Sequence, residues 1–234
     1  MTDKISYKYF KTSPEIIQLA VMYYVCYPLS YRQVEDILSE RGIDICHESI
    51  RFWVNRFGGA FAKKIGKKRR CNHSNWRWHL DEVFVKINGE KFLLWRAVDH
   101  EGEVLEVFVS KKRCKRTALK FIKKLMKKYG NPREIVTDKH ASYGAALSVL
   151  GAKHLQNTTQ YHNNRCENSH LPFRRRERAM QKFRSPAILQ KFTALHGSIY
   201  NHFNHERHLE NRQPISKNVL LRWLSGVIFV LPRI

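Results

Sequence analysis

Asn88-Gly89 sits between two apolar runs, and that dipeptide commits the chain on either side to a β-hairpin. Before it, His79 to Ile87 (H-L-D-E-V-F-V-K-I) alternates, with Val83, Val85 and Ile87 on one face. After it, Lys91 to Val98 reads as a second strand, Asp99 to Gly102 as a turn and Glu103 to Ser110 as a third strand. The period then changes from two to 3.6. Lys115 to Tyr129 reads as a helix, with Ala118, Phe121, Ile122, Leu125, Met126 and Tyr129 inward. Lys120, Lys123, Lys124, Lys127 and Lys128 point outward, and Gly130 and Pro132 end the helix. Glu134 to Thr137 predicts a short strand, Ala141 to Leu150 a helix and Lys153 to Gln156 another strand. A long helix starts near Asn164.

The resulting order is β-β-β-α-β-α-β-α. Three antiparallel strands followed by alternating helices and strands imply an α/β fold with a mixed sheet, in the order of the ribonuclease-H-like fold. The chain upstream is different in kind. Residues 14–57 read as three helices, opened by Pro14, which suits a first helical position, and interrupted at Pro28. Ser30 followed by Gln33 is a capping-box pattern for a short second helix, carried by Val34, Ile37 and Leu38 and ended by Gly42. A third helix from about His47 to Phe57 turns Ile50, Trp53, Val54 and Phe57 inward and Ser49, Arg51, Asn55 and Arg56 outward. Two short helices with such an outward face fit a helix-turn-helix, and equally an ordinary three-helix bundle.

Charge separates these regions. The chain carries 43 Lys+Arg against 20 Asp+Glu, a net charge of +23. A surface of that kind suits a polyanion, most commonly nucleic acid, and poorly suits an enzyme of small neutral substrates. Residues 1–60 hold seven basic and seven acidic residues, whereas residues 61–80 hold seven basic and no acidic ones. The run K-K-I-G-K-K-R-R, including Lys67, Lys68, Arg69 and Arg70, reads as a basic linker able to lie along phosphates. The expected division is therefore a helix-turn-helix domain over 1–60, a linker over 61–77, an α/β core over 78–185 and a helical segment over 186–234.

Five cysteines at 26, 46, 71, 114 and 166 form no C-x-x-C pair, which argues against a zinc ribbon and a disulfide framework. The N-terminal stretch has no apolar run of the signal-peptide kind, and Val219 to Leu231 is too short and too broken by Arg222 to span a bilayer. A cytoplasmic, nucleoid-associated protein is expected. His202, His205 and His208 share a helical spacing, but without a nearby cysteine and among basic neighbours they read as polar surface, not zinc ligands. Trp76, Trp78 and Trp95 read as core.

Three acids carry the chemistry. Asp81 falls in the first strand, on the Val83/Val85/Ile87 side, where an acid is costly unless paired or metal-bound. Glu82 alternates to the opposite face and is not counted with it. Asp138 follows the apolar E-I-V-T run of the fourth strand, and Glu167 begins a helix in N-N-R-C-E-N. Three carboxylates offer hard oxygen ligands to Mg²⁺, and two such ions about 3.5–4 Å apart suit phosphodiester chemistry.

These segments resemble the insertion-sequence transposases with a ribonuclease-H-like, retroviral-integrase-like core and a D-D-E triad, most narrowly insertion sequence family six, the replicative, cointegrate-forming group. The likeness is carried by W-R-W-H-L-D-E-V-F-V-K-I-N-G around Asp81, L-W-R-A-V-D at 94–99, I-V-T-D-K with A-S-Y-G at 141–144, and N-N-R-C-E-N-S-H around Glu167 with Arg174 seven residues on. F-R-S-P at 183–186, Y-N-H-F-N-H-E-R-H-L at 200–209 and S-Y-R-Q-V at 30–34 extend it over nearly the whole chain. The resemblance implies a DNA transposase with Asp81, Asp138 and Glu167 as ligands to Mg²⁺, or Mn²⁺ in its place. Such an enzyme nicks 3′ ends of its element and joins them to target DNA. Its partners are double-stranded DNA, as terminal inverted repeats and as target, and further copies of itself, at least a dimer. Arg174, two turns from Glu167, and Lys139 are expected to hold phosphate, with Arg175 and Arg178 beside them on the helix.

Two departures from the family bear on activity. Asp138 and Glu167 are separated by twenty-eight residues, fewer than is usual, and the end S-G-V-I-F-V-L-P-R-I is atypical. A nuclease of the same fold without strand transfer, and a decayed relative that only binds DNA, are the alternatives.

Overall fold

A computed structural model describes residues 5–69, 76–159, 163–179 and 183–203. The chain divides into two compact units, residues 1–71 with 198–234, and residues 72–197.

The first unit contains α1 (Pro14–Cys26), α2 (Tyr31–Ser39) and α3 (His47–Arg69). Ser13 caps α1 by accepting from the Ile16 N–H, and Pro14 takes the first turn, where its missing donor costs nothing. At α2 the Ser30 hydroxyl accepts from the Gln33 N–H at 3.2 Å, while the Gln33 side chain accepts from the Ser30 N–H at 2.8 Å. This reciprocal cap is the one the sequence implied. Ser30→Ala removes half of it, and a loss of about 1 kcal/mol is expected in chemical denaturation, with Ser30→Gly costing less. Ile17, Val21, Val34, Leu38, Ile50, Trp53 and Phe57 are buried.

The third helix is longer than its pattern suggested. It runs on to Arg69, so the first nine positions expected to be linker are helical. Phe57, Phe61 and Ile65 stand four residues apart and all three are buried, which continues the apolar stripe through the basic run. Lys67, Lys68 and Arg69 therefore fall in the last turn of α3. Their side chains, like Arg70, lie outside the described residues.

The second unit is built on a five-stranded sheet. Its strands are β1 (Arg77–Ile87), β2 (Glu90–Asp99), β3 (Val104–Ser110), β4 (Glu134–Val136) and β5 (Gln156–Asn157), in the order β3-β2-β1-β4-β5. β1 to β3 are antiparallel, and β4 and β5 add in parallel. This is the ribonuclease-H-like arrangement that the element order implied. Asn88 and Gly89 both adopt positive φ, 51° and 85°, as a two-residue hairpin of matching twist requires. Lys153–Leu155, expected to be strand, forms a 3-10 turn, and only Gln156 and Asn157 pair with β4.

Helices α4 (Lys115–Tyr129) and α5 (Ala141–Val149) contribute to one apolar core with the sheet. Trp78, Leu80, Trp95 and Ala97 meet Ala118, Phe121, Ile122, Leu125, Tyr143 and Leu147 there, all buried. The lysines of α4 face out, and Glu106 pairs with Lys124 and Lys128. α6 (Asn164–Ala179) and α7 (Pro186–Phe203) complete the element list. Within this unit Phe173, Phe183 and Phe192 form a chain of ring contacts, with the Arg176 guanidinium 5.6 Å from the Phe192 ring centre. Gln190 lies against β3, the edge strand: its side chain accepts from the Val109 N–H at 2.8 Å and donates to the Val107 carbonyl at 3.0 Å.

His196 is buried in this layer, 5.8 Å from the Phe192 ring. Burial pulls its pKa down to about 3, and Arg96 and Arg176 add to the shift. The folded ring stays neutral while the unfolded one titrates near 6.5, so stability is complete above that pH and falls as pH drops towards 3. A loss of up to about 1.4 kcal/mol per pH unit is expected over that window. Unfolding curves from pH 7 to 5 for the protein and for His196→Leu check it; the variant should show the shallower slope.

No helix among the described residues is long and apolar enough to cross a membrane.

Candidate active site

The pairing of β1 with β4 ends at His79 opposite Val136. Asp81 and Asp138 each come two residues later, Asp81 still within β1 and paired with β2, Asp138 in the loop just past the carboxyl end of β4; a cleft beyond the end of a parallel strand is where open α/β sheets place their sites. Among the described residues, the acids able to share a metal are Asp81, Glu82 and Asp138, with one ligand oxygen from each within 4.8 Å of the others. The donor set is all carboxylate, which fits a hard divalent cation such as Mg²⁺ or Mn²⁺.

Two of the three expected acids are thus brought together. Glu167 is not in this cluster: it lies exposed in the first turn of α6. That turn is nonetheless fixed beside Asp81. Asn163 donates to the Leu80 carbonyl at 3.0 Å, Arg96 donates to the Ser169 carbonyl at 3.0 Å, and His170 Nε2 stands 3.1 Å from Asp81 Oδ2. His170 is three residues beyond Glu167, so the two share a helical face.

Glu82 corrects the sequence reading. Strict alternation puts it across the sheet from Asp81, but past the last pair with β4 its longer side chain reaches the same cluster. It is also the more buried of the two, with a side chain 2% exposed against 18% for Asp81. Arg113, in the loop before α4, explains how a buried carboxylate is tolerated. Its Nε and Nη2 donate to the two Glu82 oxygens at 2.6 and 2.8 Å, and Nη2 also donates to Asp138 Oδ2 at 2.5 Å. The backbone N–H of His140 donates to the other Asp138 oxygen at 3.1 Å.

The electrostatics follow from burial. Desolvation raises the Glu82 carboxyl above the ordinary glutamate range; Arg113 opposes that shift, and the Asp138 and Asp81 charges add to it. For Arg113, burial acts downward but its bonds to Glu82 and Asp138 outweigh it, so the guanidinium stays charged. Tyr143 is fully buried, and desolvation together with the Glu82 charge raises its phenol, which stays protonated.

The expected DNA contacts are placed unevenly. Lys139, Arg175 and Arg178 are exposed. Arg174 is half-buried and engaged: it pairs with Glu177 at 2.5 Å and donates to the Phe84 carbonyl at 2.7 Å. Arg176, part of the same basic run, is buried. On α3, Arg51, Asn55 and Arg56 are exposed, Ser49 is half-buried, and Arg51 pairs with Glu48 at 3.3 Å. Trp78 and Trp95 are fully buried as expected, whereas Trp76 is 38% exposed with Arg77 over its ring. His205, His208 and the segment Val219 to Leu231 lie outside the described residues.

Sequence reasoning missed Glu82, Arg113 and His170 as members of the site. Glu82 is adjacent to Asp81, and His170 repeats the helical face of Glu167, so both had a signal. Arg113 had none, being one cation in S-K-K-R-C.

A protein-family profile described as a DDE domain matches residues 75–206. The transposase for the insertion sequence-like element IS431mec of Staphylococcus aureus is 34% identical over 169 residues, covering 70% of this chain and 75% of that protein. The transposase for insertion sequence element IS257 in transposon Tn4003, also from Staphylococcus aureus, is 33% identical over the same length. Among solved structures, the HTLV-2 integrase catalytic core domain in complex with magnesium aligns at a TM-score of 0.43 and 18% identity, over 60% of this chain and 95% of that one. The Mos1 mariner transposase catalytic domain aligns at 0.37 and 13%, over 74% and 94%.

Proposed function

The chain belongs to the DDE transposases of insertion sequences, like those of insertion sequence family six, and from that membership we propose that it nicks the 3′ ends of its own element and joins them to target DNA. The observation that carries this reading is the convergence of Asp81 and Asp138 beyond the paired ends of β1 and β4.

In this reading Asp81 and Asp138 hold the metal, and Glu167 completes the triad from the first turn of α6. Held by those carboxylates, Mg²⁺ would supply activation of the attacking oxygen and neutralisation of charge on the leaving one. In the first reaction water attacks phosphorus and the element's 3′ oxygen leaves as a hydroxyl. In the second that 3′-OH attacks a target phosphodiester, and the target's own 3′ oxygen departs. Both are in-line displacements with no covalent enzyme intermediate, so the chain's task is to orient and to balance charge.

The helix pair α2–α3 recognises the terminal inverted repeats, with Ser49, Arg51, Asn55 and Arg56 towards the major groove. Lys67, Lys68, Arg69 and Arg70 follow the backbone beside it. Lys139, Arg175 and Arg178 contact phosphates near the metal site, and Arg174 joins them by exchanging Glu177 for a phosphate. The protein works on DNA as at least a dimer, in the cytoplasm. A second reading, that the chain binds ends without cutting them, is favoured by the position of Glu167 outside the cluster and the short spacing before it.

A plasmid-fusion assay tests the proposal. The gene with its native flanking DNA is placed on one plasmid, with a second plasmid as target. Fusions bearing two copies of the element support replicative transposition. Nicked ends that never join point to the nuclease alternative, and bound but intact ends to the second reading.

A further inference from the structure

Four charged side chains meet at the candidate site, and one of the acids is surplus to a D-D-E triad. Glu82 lies within ligand distance of Asp81 and Asp138, so its oxygens are chemically able to bind the same cation. Two features argue that they do not. Both of its oxygens already accept from the Arg113 fork, at 2.6 and 2.8 Å, in the bidentate geometry that matches guanidinium to carboxylate. An ion bound to Glu82 would also meet a permanent positive charge at either oxygen, whereas Asp138 meets that charge at one oxygen only. The same fork reaches onward: Nη2 of Arg113 donates to Asp138 Oδ2 at 2.5 Å.

We propose that Arg113 is a positioning residue of this site, anchored by Glu82, which holds the Asp138 carboxylate towards Asp81 and keeps Glu82 out of the metal's coordination shell. The pair is neutral as a unit. It leaves the charge of Asp81, Asp138 and Glu167 for the cation, while fixing the orientation of a ligand that comes from a loop and not from a strand. A planar fork does this with donors on two nitrogens in fixed geometry; an ammonium carries the charge and three donors, but from a single atom, so it does not reproduce the parallel pair of bonds. The inference rests on the metal reading of the site given above.

The experiment measures Mn²⁺ binding to the full chain, read by loss of the free-ion paramagnetic resonance signal, together with nicking of an end-bearing oligonucleotide. The variants are Arg113→Lys and the double substitution Glu82→Gln with Arg113→Gln. Arg113→Lys should bind the same number of ions with little change in affinity, and nick about 10–100-fold more slowly at saturating Mn²⁺, the cost typical of losing a group that orients a ligand. The double variant carries no unpaired buried charge, so it remains informative even where a single change unfolds the domain. It should bind Mn²⁺ with the stoichiometry of the unsubstituted protein and nick as slowly as Arg113→Lys. Loss of an ion in the double variant, or an affinity about tenfold or more below that of Arg113→Lys, makes Glu82 a ligand and overturns the proposal. So does an Arg113→Lys enzyme that nicks at the original rate. If the unsubstituted protein binds no Mn²⁺, the metal reading itself falls and takes this inference with it. Binding there with loss in the double variant sinks the inference alone.

Discussion

Asp138→Ala is expected to abolish two-copy plasmid fusions and to slow end nicking by about 10³-fold or more, while leaving DNA binding and folding intact. That rate corresponds to about 4 kcal/mol of lost transition-state stabilisation. The size follows from the role. Asp138 supplies one of the carboxylates that converge beyond the last β1–β4 pair, and the neighbouring Glu82, whose two oxygens are held by Arg113, is a poor replacement for it. The small structural cost follows from exposure. The Asp138 side chain is 38% accessible and lies beyond β4, so its removal opens no cavity. Its loss also leaves Arg113 bidentate on Glu82, so no buried cation is stranded. Nicking assayed on oligonucleotides bearing the element end, with end binding measured alongside, checks both halves. Retained nicking would remove Asp138 from the metal site. Lost binding would mean that the substitution had damaged the fold and left the chemistry unprobed.

Trp95→Ala should do the reverse, unfolding the catalytic unit without touching a reacting group. Trp95 is fully buried at the centre of β2, its ring edge-on to Tyr143 at 5.5 Å and tilted against Phe121 at 6.0 Å. Its indole N–H donates to the Ser110 hydroxyl at 2.8 Å. Truncation to alanine leaves a cavity and takes one partner from the Ser110 hydroxyl, which keeps its bond to the Lys112 carbonyl, and about 3–5 kcal/mol of destabilisation is expected. Domains of this size hold only about 5–15 kcal/mol in all, so the variant loses a large share of it. Chemical denaturation followed by far-ultraviolet circular dichroism measures the change. A loss under about 1 kcal/mol would show that the site collapses around the gap. Trp95→Phe, which keeps the ring contacts but not the donor, should recover most of the difference.

The legible part of this molecule is its local chemistry. Asn88-Gly89 placed the hairpin, Ser30 and Gln33 placed the start of α2, and the apolar positions of α4 told its faces apart, because each is settled within a few residues. The parallel strands were harder to delimit. β5 is two residues long and exists through its pairing with β4, which no local pattern encodes. The end of α3 was misplaced for a related reason: a dense run of lysine and arginine looks like linker, while Phe61 and Ile65 beneath it carry the helix forward. Within the site, Asp81 was readable as an acid inside the first strand and Asp138 as an acid after the fourth. Glu82 had only its adjacency to Asp81 to mark it, and alternation set it on the opposite face. Arg113 was out of reach, since its meaning lies in carboxylates 31 and 25 residues away.

Gln190 has a protective geometry. By seating its amide on Val107 and Val109, it fills an N–H and a carbonyl on the open side of β3. A bare strand at the end of a sheet invites a neighbouring molecule to add another, which is a common start of aggregation. If several copies assemble on one stretch of DNA, as proposed above, that hazard rises, since each would hold the others at high local concentration. The plugged edge works against strand-to-strand joining along β3.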